Sequence, residues 1–171
     1  MIINTMGQYS RFFYLIIIFL LAPEISYSEN TRKISEILKR STVYISIVDQ
    51  ENNEYGMGSG VVIKHKGKLK IITNWHVIDG SDTLSVWIKP KEMVDESFLI
   101  TKVESYSAKL IHQDKTKDLA LLEVERLPIS IKALSYGKFS KIRPGQTSFA
   151  IGHPEGLLWT FTSGMISQVR P

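Results

Sequence analysis

The sequence contains no cysteine. Disulfides, thiolate zinc centres and a cysteine nucleophile are thereby excluded, and any exported fold must be held by its core alone. There is no internal repeat and no low-complexity tract, so neither a fibrous array nor a disordered chain is indicated. Histidine is scarce: there are four, with no paired spacing and no HExxH, and neither a metal site nor a cofactor is expected. Charge of one sign is also scarce. The 21 basic and 17 acidic residues leave a net charge of +4, and the lysines are interspersed with acids. A solvated surface accounts for that pattern, so no nucleic-acid partner is expected.

What the N-terminus does have is a short apolar run, Phe12 to Ala22, after Arg11 and before Pro23. A membrane-crossing helix needs ~20 apolar residues, which this run does not reach. An h-region followed by the small residues Ser26 and Ser28 fits better, so residues 1–28 read as a signal peptide cleaved after Ser28. The alternative is an uncleaved membrane anchor. Either delivers the remainder across a membrane, and the membrane is expected as a partner only through this segment.

From Thr31 to Arg40 the spacing of Ile34, Ile37 and Leu38 predicts a short helix, with Asn30 or Thr31 as cap. Everything after it reads as β structure. Strands are expected at Thr42–Val48, Gly60–Ile63, Leu69–Thr73, Leu84–Ile88, Phe98–Val103, Ala108–Ile111 and Leu119–Val124. The last of these is apolar enough to be buried on both faces. A Lys/Gly turn at 64–68 predicts a hairpin. Turns are expected at Glu51–Glu54 and Arg143–Gln146, and a charged loop with Pro90 at Lys89–Glu96. Two more strands, Ser148–Gly152 and Trp159–Val169, flank His153-Pro-Glu-Gly156. Many short strands with almost no helix predict an all-β fold, an antiparallel barrel or sandwich. Trp75, Trp87 and Trp159 are expected to pack in barrels or between lobes.

Three segments carry chemistry. The first, Gly58-Ser-Gly-Val-Val62 followed by Ile71-Ile-Thr-Asn-Trp-His76-Val-Ile, ends a strand at a histidine, at a barrel rim and not in its core. In the second, Asp118 stands directly before the apolar Leu119-Ala-Leu-Leu122. A carboxylate there needs a donor or cation, and one tautomer of an imidazole supplies a donor. Read alone, His76 could equally be satisfied by a loop carbonyl, and Asp118 could cap its own turn, as Asp114 could. The third, Gly145 to Gly156 and then Thr160 to Ser167, reads locally as a hairpin with a Gly/Pro-rich connection.

In this order and spacing, over roughly Ile34 to Arg170, the segments resemble the trypsin-like serine peptidases, nearest the HtrA-like (Deg-type) bacterial branch. Gly58-Ser-Gly-Val is similar to the family's GSG strand. Thr73-Asn-Trp-His76-Val is similar to TNxHV, which implies His76 as general base. Asp118-Leu-Ala-Leu-Leu is similar to DLAVL, which implies Asp118 as the orienting carboxylate. Ala150-Ile-Gly-His-Pro resembles AIGNP, with His153 where asparagine is usual, and Thr162-Ser-Gly-Met-Ile-Ser resembles TSGIVS.

The resemblance implies a trypsin-like antiparallel β-barrel fold with a short N-terminal helix: residues 29–144 as a complete first lobe and 145–171 as the initial hairpin of a second lobe only begun. It also implies a GNSGGP-type loop, carrying the nucleophile serine and oxyanion hole, which these 171 residues do not contain. Ser59 lies in the GSG-like strand and Ser163 and Ser167 in the TSGIVS-like strand, not in a GNSGGP-type loop whose glycines would converge N–H groups on an oxyanion. The expectation is therefore the N-terminal part of an exported serine endopeptidase, inactive as written, acting on unfolded or exported polypeptides. The absence of cysteine suits a bacterial periplasm. The rival reading is a non-catalytic periplasmic binding or chaperone module built on a peptidase lobe. The hairpin is apolar on both arms, with unpaired outer edges, so a loosely held tail and self-association through it are expected.

Overall fold

The computed structural model describes residues 28–48, 54–81, 83–89 and 105–170. The apolar N-terminal run, the turn expected before Glu54, the charged loop from Pro90 onward and the strand expected at Phe98–Val103 lie outside the described residues. The chain divides into two units, Met1–Glu36 and Ile37–Pro171. Among the described residues no helix is long and apolar enough to cross a membrane.

Helix α1 spans residues 28–39. It starts ahead of the expected position, so Asn30 and Thr31 lie in its first turn and do not cap it. A Lys33–Glu29 ion pair of 2.7 Å links successive turns. Seven elements follow the helix in sequence, six of them strands: β1 (Thr42–Val48), β2 (Glu54–His65), β3 (Lys68–Thr73), the one-turn helix α2 (Trp75–Ile78), β4 (Thr83–Ile88), β5 (Ser105–Asp114) and β6 (Leu119–Val124). The six strands close into an antiparallel barrel in the order β1-β2-β3-β6-β5-β4. This is the all-β barrel with a short N-terminal helix that the sequence predicts.

Alternation builds the barrel core, because successive side chains point to opposite faces of a strand. Val43, Ile45 and Ile47 from β1, Val62 from β2, Ile71 from β3, Leu84 and Val86 from β4, and Ala120, Leu122 and Val124 from β6 fill the interior. The β2–β3 hairpin turns through Lys66 and Gly67, between the paired residues His65 and Lys68. Both turn residues have positive φ, 48° and 81°, the backbone of a tight turn whose twist matches its strands.

The strand expected to be covered on both faces is not. In β6 the burial alternates, and Leu119 is 43% exposed, because only every second residue points into the barrel. The doubly covered strand is β1. Its inward residues lie in the core, while Thr42, Tyr44 and Ser46 on its outer face are also buried. What covers that face follows β6.

The chain leaves β6, and its Leu134 N–H donates to the Val62 carbonyl (2.9 Å). It then forms the antiparallel pair β7 (Thr147–Gly152) and β8 (Thr160–Met165). The connection between them lies on β1. Trp159 is 3% exposed and its indole N–H donates to the Thr42 carbonyl (3.1 Å), while the rings of Tyr44 and Trp159 meet the His153 ring edge-on. Trp87 covers the rest, donating to Ser46 Oγ (2.9 Å).

Candidate active site

Strands β3 and β6 are barrel neighbours, with Thr73 paired to Ala120. That register places whatever follows Thr73 beside whatever precedes Ala120. Asn74, Trp75 and His76 follow the first, and Asp118 precedes the second. Two segments 42 positions apart thus meet at one end of the barrel.

The contact is close. His76 Nδ1 lies 2.7 Å from Asp118 Oδ2. The main-chain N–H of His76 donates to Asp118 Oδ1 (2.9 Å). The Asn74 side-chain amide donates both to Oδ2 and to the main-chain carbonyl of Asp118, each at 3.1 Å. Asp118 itself has φ 53°, a left-handed backbone that aspartate adopts more readily than most residues. The His76 main-chain N–H is the chief cause that holds the Asp118 carboxyl below the ordinary carboxylate range; the imidazole and the Asn74 amide act in the same direction, and partial desolvation opposes them.

An ionised carboxylate can only accept hydrogen bonds, so the 2.7 Å contact assigns the ring proton to Nδ1. Nε2 then carries the lone pair. The His76 side chain is 67% exposed, so an incoming group can reach the ring. Chemically, the arrangement can accept a proton at Nε2 and stabilise the imidazolium that results.

The surroundings fix where α2 stands. An added Cβ on Gly58 would lie 2.4 Å from Val77 Cγ1, so only glycine lets β2 and α2 approach this closely. Thr73 Oγ1 donates to the Ser59 carbonyl (2.8 Å) at the strand end. Lys115 Nζ sits 4.7 Å from the centre of the Trp75 ring. Among the described residues no group of three or more histidines or carboxylates converges as a metal site requires.

Sequence reasoning placed His76 at a strand end. The structure puts it on the one-turn helix directly beyond. Two features were missed. One is Asn74, whose only signal was an asparagine just ahead of the histidine. The other joins Ser59 to His153, 94 positions away. Ser59 Oγ accepts the His153 main-chain N–H at 3.0 Å and lies 3.0 Å from its Nδ1. The Ser59 hydroxyl is therefore engaged in joining the β7–β8 connection to β2. His65 and His112 take no part in these contacts.

A closed six-stranded antiparallel barrel that sets a histidine against an aspartate at one end has the fold class of a trypsin-like peptidase domain. The comparisons agree. The family model described as trypsin-like peptidase domain matches residues 58–171. The Serine protease Do-like HtrA of Bacillus subtilis is 37% identical over 122 residues, covering 70% of this chain and 24% of that protein. The Serine protease Do-like HtrB of the same organism is 33% identical over 165 residues, 87% of this chain and 33% of the relative. The Periplasmic pH-dependent serine endoprotease DegQ of Escherichia coli is 33% identical over 112 residues, 66% of this chain and 22% of the relative. The chain belongs to the trypsin-like peptidase family, on its HtrA-like side. It spans between 22% and 33% of the length of these relatives.

Proposed function

We propose that this chain supplies the base and its orienting acid to an exported serine endopeptidase. The observation that carries the reading is the exposed His76 imidazole, with Nδ1 held at 2.7 Å by an aspartate whose other oxygen is also occupied. In this reading His76 Nε2 takes the proton of a serine hydroxyl as its oxygen attacks the scissile carbonyl. Asp118 keeps the tautomer and stabilises the imidazolium, and the proton then passes to the leaving amine. The serine and the N–H groups that receive the oxyanion belong to a glycine-rich loop not present among these 171 residues. Substrates are unfolded or exported polypeptides.

The same reading assigns residues 1–28 to a signal peptide, 29–144 to a first lobe and 145–171 to the opening hairpin of a second. The word periplasmic in the printed name of the Escherichia coli relative supports export. Intact-mass measurement of periplasmic protein checks it: loss of the residues through Ser28 is expected, and a mass that includes them would point to an anchor.

The test of activity has two arms. The 171-residue polypeptide is expected neither to cleave a casein-type substrate nor to label with a fluorophosphonate. Nucleotide sequence read past the Pro171 codon is expected to encode a GNSGG-like loop within about forty codons. A product that includes it should label on that loop's serine and lose turnover by roughly 10⁴–10⁶-fold in His76→Ala. Binding of denatured polypeptide without turnover, unchanged by His76→Ala, would instead establish the non-catalytic module.

A further inference from the structure

The asparagine at the start of α2 does not cap its own helix. Asn74 occupies the N-cap position with extended backbone (φ −75°, ψ 146°), where asparagine ordinarily accepts an N–H of the first turn. Its side chain makes no such bond. It reaches across to Asp118 and donates to both the carbonyl and Oδ2. The N–H a cap would serve, that of His76, is taken by Asp118 Oδ1. The two residues have exchanged tasks: Asp118 caps the helix, and Asn74 holds Asp118.

Asp118 needs holding for two reasons. Its left-handed backbone is sterically unfavourable for a residue with a Cβ and persists only when its surroundings determine it. Its side chain is 41% exposed, so packing alone does not fix the carboxylate rotation. One planar amide meets both needs, since its bond to the carbonyl restrains the peptide and its bond to Oδ2 restrains the carboxylate. Oδ2 is also the oxygen facing His76 Nδ1. A carboxylate rotated away would leave the imidazole free to take its other tautomer.

We propose that Asn74 is a positioning residue for the His76–Asp118 pair, clamping the aspartate's backbone and carboxylate so that Oδ2 faces the imidazole and Oδ1 the helix. The proposal rests on the reading of that pair as base and orienting acid. Serine is the informative replacement. It is as good an N-cap as asparagine but too short to reach Asp118, so Asn74→Ser preserves the helix start and removes only the clamp. Asn74→Asp also caps, but turns the donor into an acceptor of like charge.

The experiment is ¹⁵N and ¹³C NMR of the 171-residue chain, reading the His76 ring nitrogens with the imidazole neutral and the Asp118 carboxyl carbon through its titration. The wild type is expected to carry its proton on Nδ1. In Asn74→Ser the ring shifts should move toward the mixed tautomers of free imidazole, and Asp118 should titrate at a higher pH than in the wild type. Asn74→Asp should show both changes more strongly. Backbone amide shifts away from residues 74–78 and 118–120 should stay put. A folded Asn74→Ser protein with the Nδ1 proton fully retained and the Asp118 titration unmoved would overturn the role of Asn74. A proton on Nε2 in the wild type would instead overturn the reading of the pair, and this proposal with it.

Discussion

At the scale of single residues, His153 shows most clearly how environment sets chemistry. It is 5% exposed, lies between the rings of Tyr44 and Trp159, and among the described residues its Nε2 has no hydrogen-bond partner. A charged ring there would need a second acceptor, so burial lowers its pKa from 6.5 to about 4. The unfolded chain therefore binds the extra proton between those values. The contribution of neutral His153 to stability is whole above about pH 6.5 and is lost as the pH falls toward 4. Asp114, Asp118 and Glu123 are also shifted down, chiefly by the Lys117 N–H, the His76 N–H and the Lys70 side chain respectively, so their contributions fade only at lower pH. In urea titrations the wild type should lose about 2 kcal/mol between pH 7.5 and 5, and His153→Asn should keep it, since an amide can still meet Ser59 and does not titrate. Parallel pH profiles for the two proteins would refute this. The sequence marked His153 only as a departure from an asparagine. Its partner Ser59 lies in a different segment, and no local pattern joins them. His76 and Asp118 were legible as neighbours of apolar strands, but their meeting depends on the β3–β6 pairing, which neither segment encodes alone.

Elements were legible where alternation dominates and obscure where glycine or brevity hides them. β1 and β4 are β-branched or alternating and fall where the pattern puts them. β2 begins well ahead of the expected Gly60, and Gly56, Gly58 and Gly60 all lie within it. Close approach explains the last two: a Cβ on Gly60 would lie 2.5 Å from Ile71 Cγ2 in the core, and one on Gly58 would strike Val77 on α2. Helix α2 has four residues, too few to show a helical period, so the histidine was expected on a strand end. Its docking makes a testable element. Gly58→Ala should push Val77 outward and destabilise the chain by about 1–3 kcal/mol, as overpacking does. Gly58→Ala with Val77→Ala removes the clashing methyls and should recover part of that loss, whereas additive losses in denaturant titration would show that the two residues are not coupled.

For the whole molecule, the question is what holds β7–β8 against a barrel that is already closed. Apolar residues on both arms led to the expectation of a loosely held tail. The structure divides the hairpin instead. Its connection is docked, with Trp159 and His153 buried and Ile151 and Leu158 packed against them, while the far end is open, with Met165 68% exposed. Trp159 takes up a left-handed backbone (φ 48°) at this contact, which is costly for a bulky side chain and is tolerated only because its ring is seated on β1 and its N–H is bonded to Thr42. The sequence could not reveal this, because the outer face of β1 offers only Thr42, Tyr44 and Ser46, a mixed pattern that reads as solvent-facing. Removing the indole should free the hairpin and leave the barrel closed. Truncating a buried tryptophan costs about 3–5 kcal/mol, and if roughly 3 kcal/mol of that falls on the docked connection, local opening rises about a hundredfold. No lysine or arginine lies between Arg143 and Arg170, so trypsin cannot read the hairpin and chymotrypsin can. In the wild type chymotrypsin should cut early after Phe139, which is 61% exposed, and slowly after Phe149 and Phe161, whose rings stack at 5.4 Å. In Trp159→Ala, cutting after Phe149 and Phe161 should accelerate by about that hundredfold while Tyr44 in the barrel stays protected. Equal rates in the two proteins would mean that the seated tryptophan does not hold the hairpin, and simultaneous loss of protection at Tyr44 would mean that barrel and hairpin unfold as one cooperative unit.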